Sequence, residues 1–333
     1  MNTDLLFKLS NAVSLGDICE ARDIAKDELS KYLSTENFGM LGVIGTLDKG
    51  ADKTLMLAAH IDEIGFVVTS ILDGGFVKVS NVGGIDKRIL PATPVIIHGK
   101  EKISAVFVST PPHLGSGEPQ EVTDILLDTG IKNGLSDKIS VGDFVSFDSK
   151  CVNLLGNRIC GKSFDDRSAV ACLIEIASRI YDKEVPFNVV FCLTDQEELG
   201  IRGAKTASFA IDCDQAIAID VTFGNAPDVP ESHLKRLGDG VMIGVSPILD
   251  RAITNHLIDL CGDNNIPFNL EVMSSTTGTD ADSITISKSG IPTGLISIPL
   301  RNMHTPCEII DIADIESTCD LLEAYILSGG AKI

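Results

Sequence analysis

Four short, largely apolar runs in this chain each end on or close to an acidic or imidazole side chain, and no other feature limits the possible folds as strongly. Residues 55–59 stop at His60, 189–193 lead into Asp195-Gln196-Glu197-Glu198, 216–219 stop at Asp220, and 296–299 lie just ahead of His304. Short apolar runs bounded by turn-forming residues read as strands buried on both faces. Gly200 and Gly203 mark the turn that leaves the second of them. Helical spacing recurs at about 167–181, 202–209, 252–261 and 312–327, with a further strand near 268–272. Strands alternating with helices predict an α/β fold whose mostly parallel sheet is flanked on both faces by helices.

Ahead of the first run, Leu5, Leu6, Leu9, Ile18, Ala21, Ile24, Ala25 and Leu29 recur at helical spacing, with Asp17 placed to cap the second part. After residue 65 the texture changes. Runs at 66–71, 76–79, 95–97, 103–108 and 144–147 are short and β-rich, punctuated by Gly-Gly, Pro-Pro and Asp-Gly, and the one place where a helix is expected to interrupt them is near 123–127. This predicts a small all-β domain at 66–157, inserted into a larger domain made of residues 1–65 and 158–333.

The 333 residues, 44% of them hydrophobic, suffice for a sizeable core in one or two domains. The net charge of −20 leaves no basic face for a phosphate backbone. No Trp and only three Tyr leave no platform on which bases could stack. No stretch approaches the roughly 18 uninterrupted apolar residues of a membrane span. The N-terminus carries acids early and no long apolar block, so it does not read as a signal peptide. Nine cysteines, odd in number and without a CxxC pair, read in part as small core residues (Cys172, Cys192), and a reducing cytoplasm is the expected location.

The polar residues at the run ends form a coherent donor set. His60 and Asp62 are two apart in an extended segment and project to one side, so Asp62 can fix the imidazole tautomer. Asp165 and Asp166 stand at a helix start, where carboxylates also serve as caps. Neighbours on an extended chain diverge, so one of Glu197 and Glu198 can bind a metal while the other faces a substrate. Taken singly, each has a duller role: a helix cap, a core histidine, a turn former, a solvated acid pair. Together, two histidines, two aspartates and a glutamate suit zinc, cobalt or manganese. Five ligands exceed the need of one open catalytic zinc and suit two metals sharing a carboxylate. The carboxyl ends of strands in an open α/β sheet are also where ligands bind.

These motifs, in the order Ala59-His60-Ile61-Asp62-Glu63-Ile64-Gly65, Phe164-Asp165-Asp166-Arg167, Gln196-Glu197-Glu198-Leu199-Gly200, Ile219-Asp220-Val221-Thr222 and Met303-His304-Thr305-Pro306, resemble those of the M42 metallo-aminopeptidases, some members of which are labelled endoglucanases. The resemblance runs from residue 59 to 306. It implies two divalent ions per chain, zinc or cobalt or else manganese. His60, Asp165 and Asp220 would hold one ion and Asp165, Glu198 and His304 the other, with Asp165 bridging. Glu197 would be the general base and Asp62 the orienting carboxylate. It also implies a cis Asp165–Asp166 peptide, a PDZ-like oligomerisation role for the inserted domain, and a twelve-subunit tetrahedral shell. Where the family commonly has Gly-Pro, this chain has Gly240-Val241.

The expected activity is hydrolysis of N-terminal residues from short peptides. An alternative on the same fold is a metal-dependent deacylase of N-acyl amino acids, which needs a cation for the substrate carboxylate; Arg301 and Arg202 are its candidates. A glycosidase would need two carboxylates at about 5–9.5 Å and no metal. A non-catalytic assembly protein would have no use for Glu197.

Overall fold

The computed structural model describes residues 2–39, 42–111, 113–114, 120–227 and 236–333. An eight-stranded sheet forms its centre, in the order Phe268–Val272, Val241–Val245, Thr293–Leu300, Gln215–Phe223, Thr54–His60, Asn188–Thr194, Gly42–Leu47, Ser34–Phe38. The four middle strands, Thr293–Leu300 through Asn188–Thr194, run parallel. The joins on either side of them are antiparallel and the outer pair Phe268–Val272 with Val241–Val245 is parallel again, so the sheet is mixed, with four of its seven joins parallel. Three strands that the sequence reading did not mark, Ser34–Phe38, Gly42–Leu47 and Val241–Val245, make the antiparallel joins. Ser34–Phe38 (STENF) is polar and largely exposed, and Gly42–Leu47 carries two glycines, so neither shows the apolar run that marks the centre.

Alternation along each middle strand divides its residues between two cores. Leu55, Leu57 and Ala59 enter one hydrophobic cluster, which also takes residues from the helices Thr3–Asn11, Glu20–Leu29, Phe164–Ile180, Arg251–Asn264 and Ile312–Ser328. Met56 and Ala58 face the other, thinner layer of small side chains beneath Arg202–Ala210 and Ala281–Ile284. Fully burying Phe187, Phe191 and the leucines of the first cluster contributes about 1.5–3 kcal/mol apiece. Asp250 caps Arg251–Asn264 through the Ala252 and Ile253 amides, and Asp311 caps Ile312–Ser328 through Ala313. Asp17 does not cap a helix: it lies in the turn of a two-residue hairpin, Ser14–Leu15 with Ile18–Cys19, which shortens the second helix to Glu20–Leu29.

The chain leaves the sheet after His60 to build a closed barrel of six strands, in the order Leu126–Asp128, Phe76–Val82, Gly65–Ile71, Phe144–Phe147, Pro94–His98, Lys102–Phe107. Closure leaves no open sheet edge. The barrel has its own core, with Phe66 edge-on to Phe107 and Phe147 at 5.0 and 5.4 Å. The helix expected near 123–127 is instead a single 3-10 turn, Val122–Asp124, running into a barrel strand. Three short strands, Val152–Asn153, Arg158–Gly161 and Glu308–Asp311, form a separate small sheet where the chain re-enters the larger body. The Val241 amide donates to Pro267 O (3.1 Å), a bond that proline at 241 could not make. No helix among the described residues is long and apolar enough to cross a membrane.

Candidate metal centre

The four parallel strands deliver their polar residues to one end of the sheet. His60 is the last residue of Thr54–His60, Asp220 lies in the carboxyl half of Gln215–Phe223, Glu197 and Glu198 follow Asn188–Thr194, and His304 follows Thr293–Leu300. Asp165 and Asp166 reach the same point from the start of the helix Phe164–Ile180, across a cis peptide. Parallel pairing sets Thr194 opposite His60 and Ala218 opposite Ala58, which levels the strand ends.

Asp165 sits between the two imidazoles. Its Oδ1 is 3.0 Å from His60 Nε2, and its Oδ2 is 3.3 Å from His304 Nε2. Glu198 Oε1 also lies 3.3 Å from His304 Nε2. Two groups bring ligand atoms within 4.8 Å of one another: His60, Asp165 and Glu198, and His60, Asp166 and Asp220. The second group contains Asp166, for which the sequence suggested only a neighbour's place. Neither Asp166 oxygen has a hydrogen bond of good geometry, although the Ala169 amide faces the group.

Asp62 does more than face His60. Its Oδ1 is 3.4 Å from His60 Nδ1, long for a hydrogen bond, while its two oxygens accept the amides of Glu197 (3.1 Å) and Glu198 (3.2 Å). One carboxylate therefore ties the His60 segment to the glutamate pair. Glu308, which nothing in the sequence singled out, lies against Asp165 and His304 and is 2% exposed. Asp280, also missed, accepts from Thr194 Oγ1 at 2.5 Å, and its other oxygen has no partner. From the barrel, Gly83 and Gly84 lean on the centre. A Cβ on Gly83 would stand 3.2 Å from Glu198 Oε2, and one on Gly84 would stand 2.9 Å from His304 Nδ1. The Gly-Gly pair is visible in the sequence, but only as punctuation between strands.

Left-handed backbone gathers here. Ser163, Gln196, Ile201, Asn302 and His304 are five of the eight non-glycine residues with positive φ among those described.

The electrostatics fit a site built for cations. Burial pushes Glu197 up to about 8, with the Asp280 and Glu198 charges adding to it and His60 opposing. Burial raises Asp195 to about 7 and Asp280 to about 6. Burial also raises Asp220 and Asp166, each further disfavoured by a neighbouring aspartate. Burial opposes charge on His304, yet its bonds to Asp165 and Glu198 push it up to about 11. Burial likewise works against ionising Asp165, but hydrogen bonds from the two imidazoles hold its pKa below the ordinary carboxylate range. Without a metal, then, these buried carboxylates are balanced by imidazolium charge, by the buried Arg167 guanidinium that faces Asp62, Asp166 and Asp195, and by bound protons. Divalent cations would take over that balance and expel the protons. The unsatisfied oxygens of Asp166 and the N/O donor set fit such ions.

Comparison with known proteins identifies the family. The sequence profile of the M42 glutamyl aminopeptidases matches residues 42–321. A putative aminopeptidase of Acetivibrio thermocellus is 33% identical, with 96% of each chain covered. The lysyl aminopeptidase of Pyrococcus furiosus is 30% identical over 92% of this chain and 90% of its own. An aminopeptidase of the archaeon Desulfurococcus kamchatkensis superposes with a TM-score of 0.91 at 30% identity, covering 98% of this chain and 94% of that one. The TET1 peptidase of Pyrococcus horikoshii, which can assemble into a tetrahedron or a large octahedral shell, superposes with a TM-score of 0.86 at 27% identity, covering 98% and 99%. The chain belongs to the M42 family of aminopeptidases, metal-dependent hydrolases of peptide bonds.

Proposed function

We propose that the protein is a two-metal aminopeptidase that removes N-terminal residues from short peptides. The observation that carries this reading is Asp165, whose two oxygens face the two imidazoles at 3.0 and 3.3 Å. A carboxylate so placed suits a bridge, with His60 and Asp220 on one side and Glu198 and His304 on the other. Asp166 adds a carboxylate beside Asp220. Bound divalent ions would supply Lewis acidity, polarising the scissile carbonyl and acidifying water.

The chain's own residues handle the protons. Glu197 takes a proton from the attacking water on its carboxylate and passes it to the leaving amine. Proton transfer by a carboxylate so positioned is worth about 10²–10⁴-fold. Asp62 holds Glu197 and Glu198 by their amides and faces the rear nitrogen of His60. The surrounding carboxylates favour a cationic α-ammonium at the substrate N-terminus.

The deacylase alternative has less support. Arg301 donates through Nε and Nη2 to Asn225, and Arg202 is exposed at the start of a helix. Arg301 is thereby engaged within the chain and turned away from a substrate carboxylate. An amino-acid anilide with a free amine should be cleaved, its N-acetyl form should not, and chelation should abolish the activity. Release of acetate from an N-acetyl amino acid, with the free-amine anilide left intact, would favour the deacylase. Testing a panel of aminoacyl anilides with zinc, cobalt and manganese identifies the working metal.

The division into a catalytic domain (1–65 and 158–333) and an inserted PDZ-like oligomerisation domain (66–157) belongs to the same reading. Support comes from the separate barrel core and from exposed Val106, Val108, Leu114 and Val141 on the insert. By likeness to the shell-forming peptidase we infer homo-oligomers, with a tetrahedral dodecamer as the expected form. Nine free cysteines suit a cytoplasmic setting.

A further inference from the structure

Glu308 lies four residues beyond His304, at the start of the strand Glu308–Asp311 in the small three-stranded sheet. Its side chain is buried and spans two elements that are distant in sequence. The Asp165 amide donates to Oε2 at 3.1 Å, and the His304 amide donates to Oε1 at 3.0 Å. These are the two residues whose side chains meet at 3.3 Å in the candidate centre. His304 holds a left-handed backbone (φ 62°), a conformation that non-glycine residues adopt uncommonly. The rest of that loop is tied within itself, Thr305 Oγ1 donating to Asn302 O (2.7 Å) and Asn302 Nδ2 to Cys307 O (3.1 Å), and from the segment after the barrel by Ser149 Oγ, which donates to Pro306 O (2.7 Å). The two bonds to Glu308 link this loop to Asp165 through the backbone.

We infer that Glu308 is a positioning residue of the metal centre, a carboxylate clamp that fixes the Asp165 and His304 backbones relative to each other. A carboxylate has an acceptor for each amide, whereas a glutamine offers one oxygen and turns an NH₂ group toward the second N–H. The bridging and terminal ligands would then lose their common anchor without either ligand being altered. Outer carboxylates that orient ligands typically contribute 10–100-fold in metal affinity.

A second buried acid in this chain provides a matched control. Asp314 accepts the amides of Gly238 and Gly240, both at 2.8 Å, and none of the proposed ligands is among its neighbours. The inference rests on the metal-centre reading, so the first measurement is a zinc or cobalt isotherm on the apo wild type. No binding there refutes that reading itself. Given binding, Glu308→Gln should weaken it by about 10–100-fold, while Asp314→Asn lowers thermal stability and leaves the isotherm in place. If Glu308→Gln does not fold, Glu308→Asp keeps the charge but is one methylene too short to reach both amides, and the same loss is expected. Metal affinity within twofold of wild type in the folded variant, or an equal loss in Asp314→Asn, would overturn the clamp.

Discussion

The two halves of the proposed centre are built by different means. His60 and Asp220 sit on adjacent parallel strands, 2% and 6% exposed, and sheet pairing alone sets their separation. Glu198 and His304 sit on loops beyond the strands, and the His304 side chain remains 32% exposed. Their places depend on contacts from afar: Asp62 on the Glu198 amide, Glu308 on the His304 amide, and the barrel's Gly83 and Gly84 against both side chains. Strand ends give a rigid half with little outside support. Loops give an adjustable half that needs bracing, and the inserted barrel supplies part of it.

The largest expected effect separates the adjacent glutamates of the loop half. Glu197→Gln keeps size and polarity but cannot accept a proton, so kcat should fall by about 10²–10⁴-fold with KM far less changed. Metal content should stay at the wild-type level. A variant that loses its metal instead would swap the roles of Glu197 and Glu198.

Asp62→Asn touches both halves, because Asp62 faces His60 and receives the amides of both glutamates. A loss of about 10–100-fold in metal affinity or turnover is expected. Unchanged affinity and turnover would make Asp62 a structural acid only.

Gly84→Ala tests the barrel's share. The added methyl would stand 2.9 Å from His304 Nδ1, so the ring must move. Overpacking of this kind costs about 1–3 kcal/mol, which corresponds to at least a several-fold weaker metal isotherm. Gly262→Ala, where nothing lies within 4 Å of the new methyl, is the control and should bind metal as wild type does. Equal binding by both variants would mean that the barrel does not brace the loop half.

The smallest effect is on the pH dependence of the metal-free chain. Asp280, Asp195 and Glu197, at about 6, 7 and 8, lie above the ordinary carboxylate values of about 4. The folded chain therefore binds these protons more tightly than the unfolded chain, and stability falls as pH rises through that window. His304, raised to about 11, adds stability that is fully present below about 6.5 and is lost toward that value. Asp165, lowered, acts oppositely, but only in acid below about pH 4. Apo Tm should drop by several degrees between pH 5 and pH 8, and loading with metal should remove most of that drop. A flat apo profile would contradict the assigned burial of charge.

The strand half was nearly all legible in the sequence, because each buried strand is an apolar run and each polar residue interrupts one. His60 after Leu-Ala-Ala and Asp220 after Ile-Ala-Ile are of this kind. The loop half was legible only for Glu198 and His304, which lie a few residues beyond such runs. Its bracing was not. Glu308 lies 143 residues from Asp165, and Asp280 lies 86 from Thr194, so no local periodicity marks either contact. The edge strand Ser34–Phe38 escaped for the opposite reason: exposed and polar, it is held by pairing with Gly42–Leu47 and not by burial.

The central claim is that the two halves hold one divalent ion each, joined at Asp165. Elemental analysis of the purified, metal-loaded protein tests it most directly, alongside Glu198→Gln, which replaces an anionic donor of the loop half with a neutral amide. Two ions per chain in the wild type, with a clear loss in Glu198→Gln, is the predicted result. At most one tightly held ion in the active wild type, or full loading of Glu198→Gln, would contradict it.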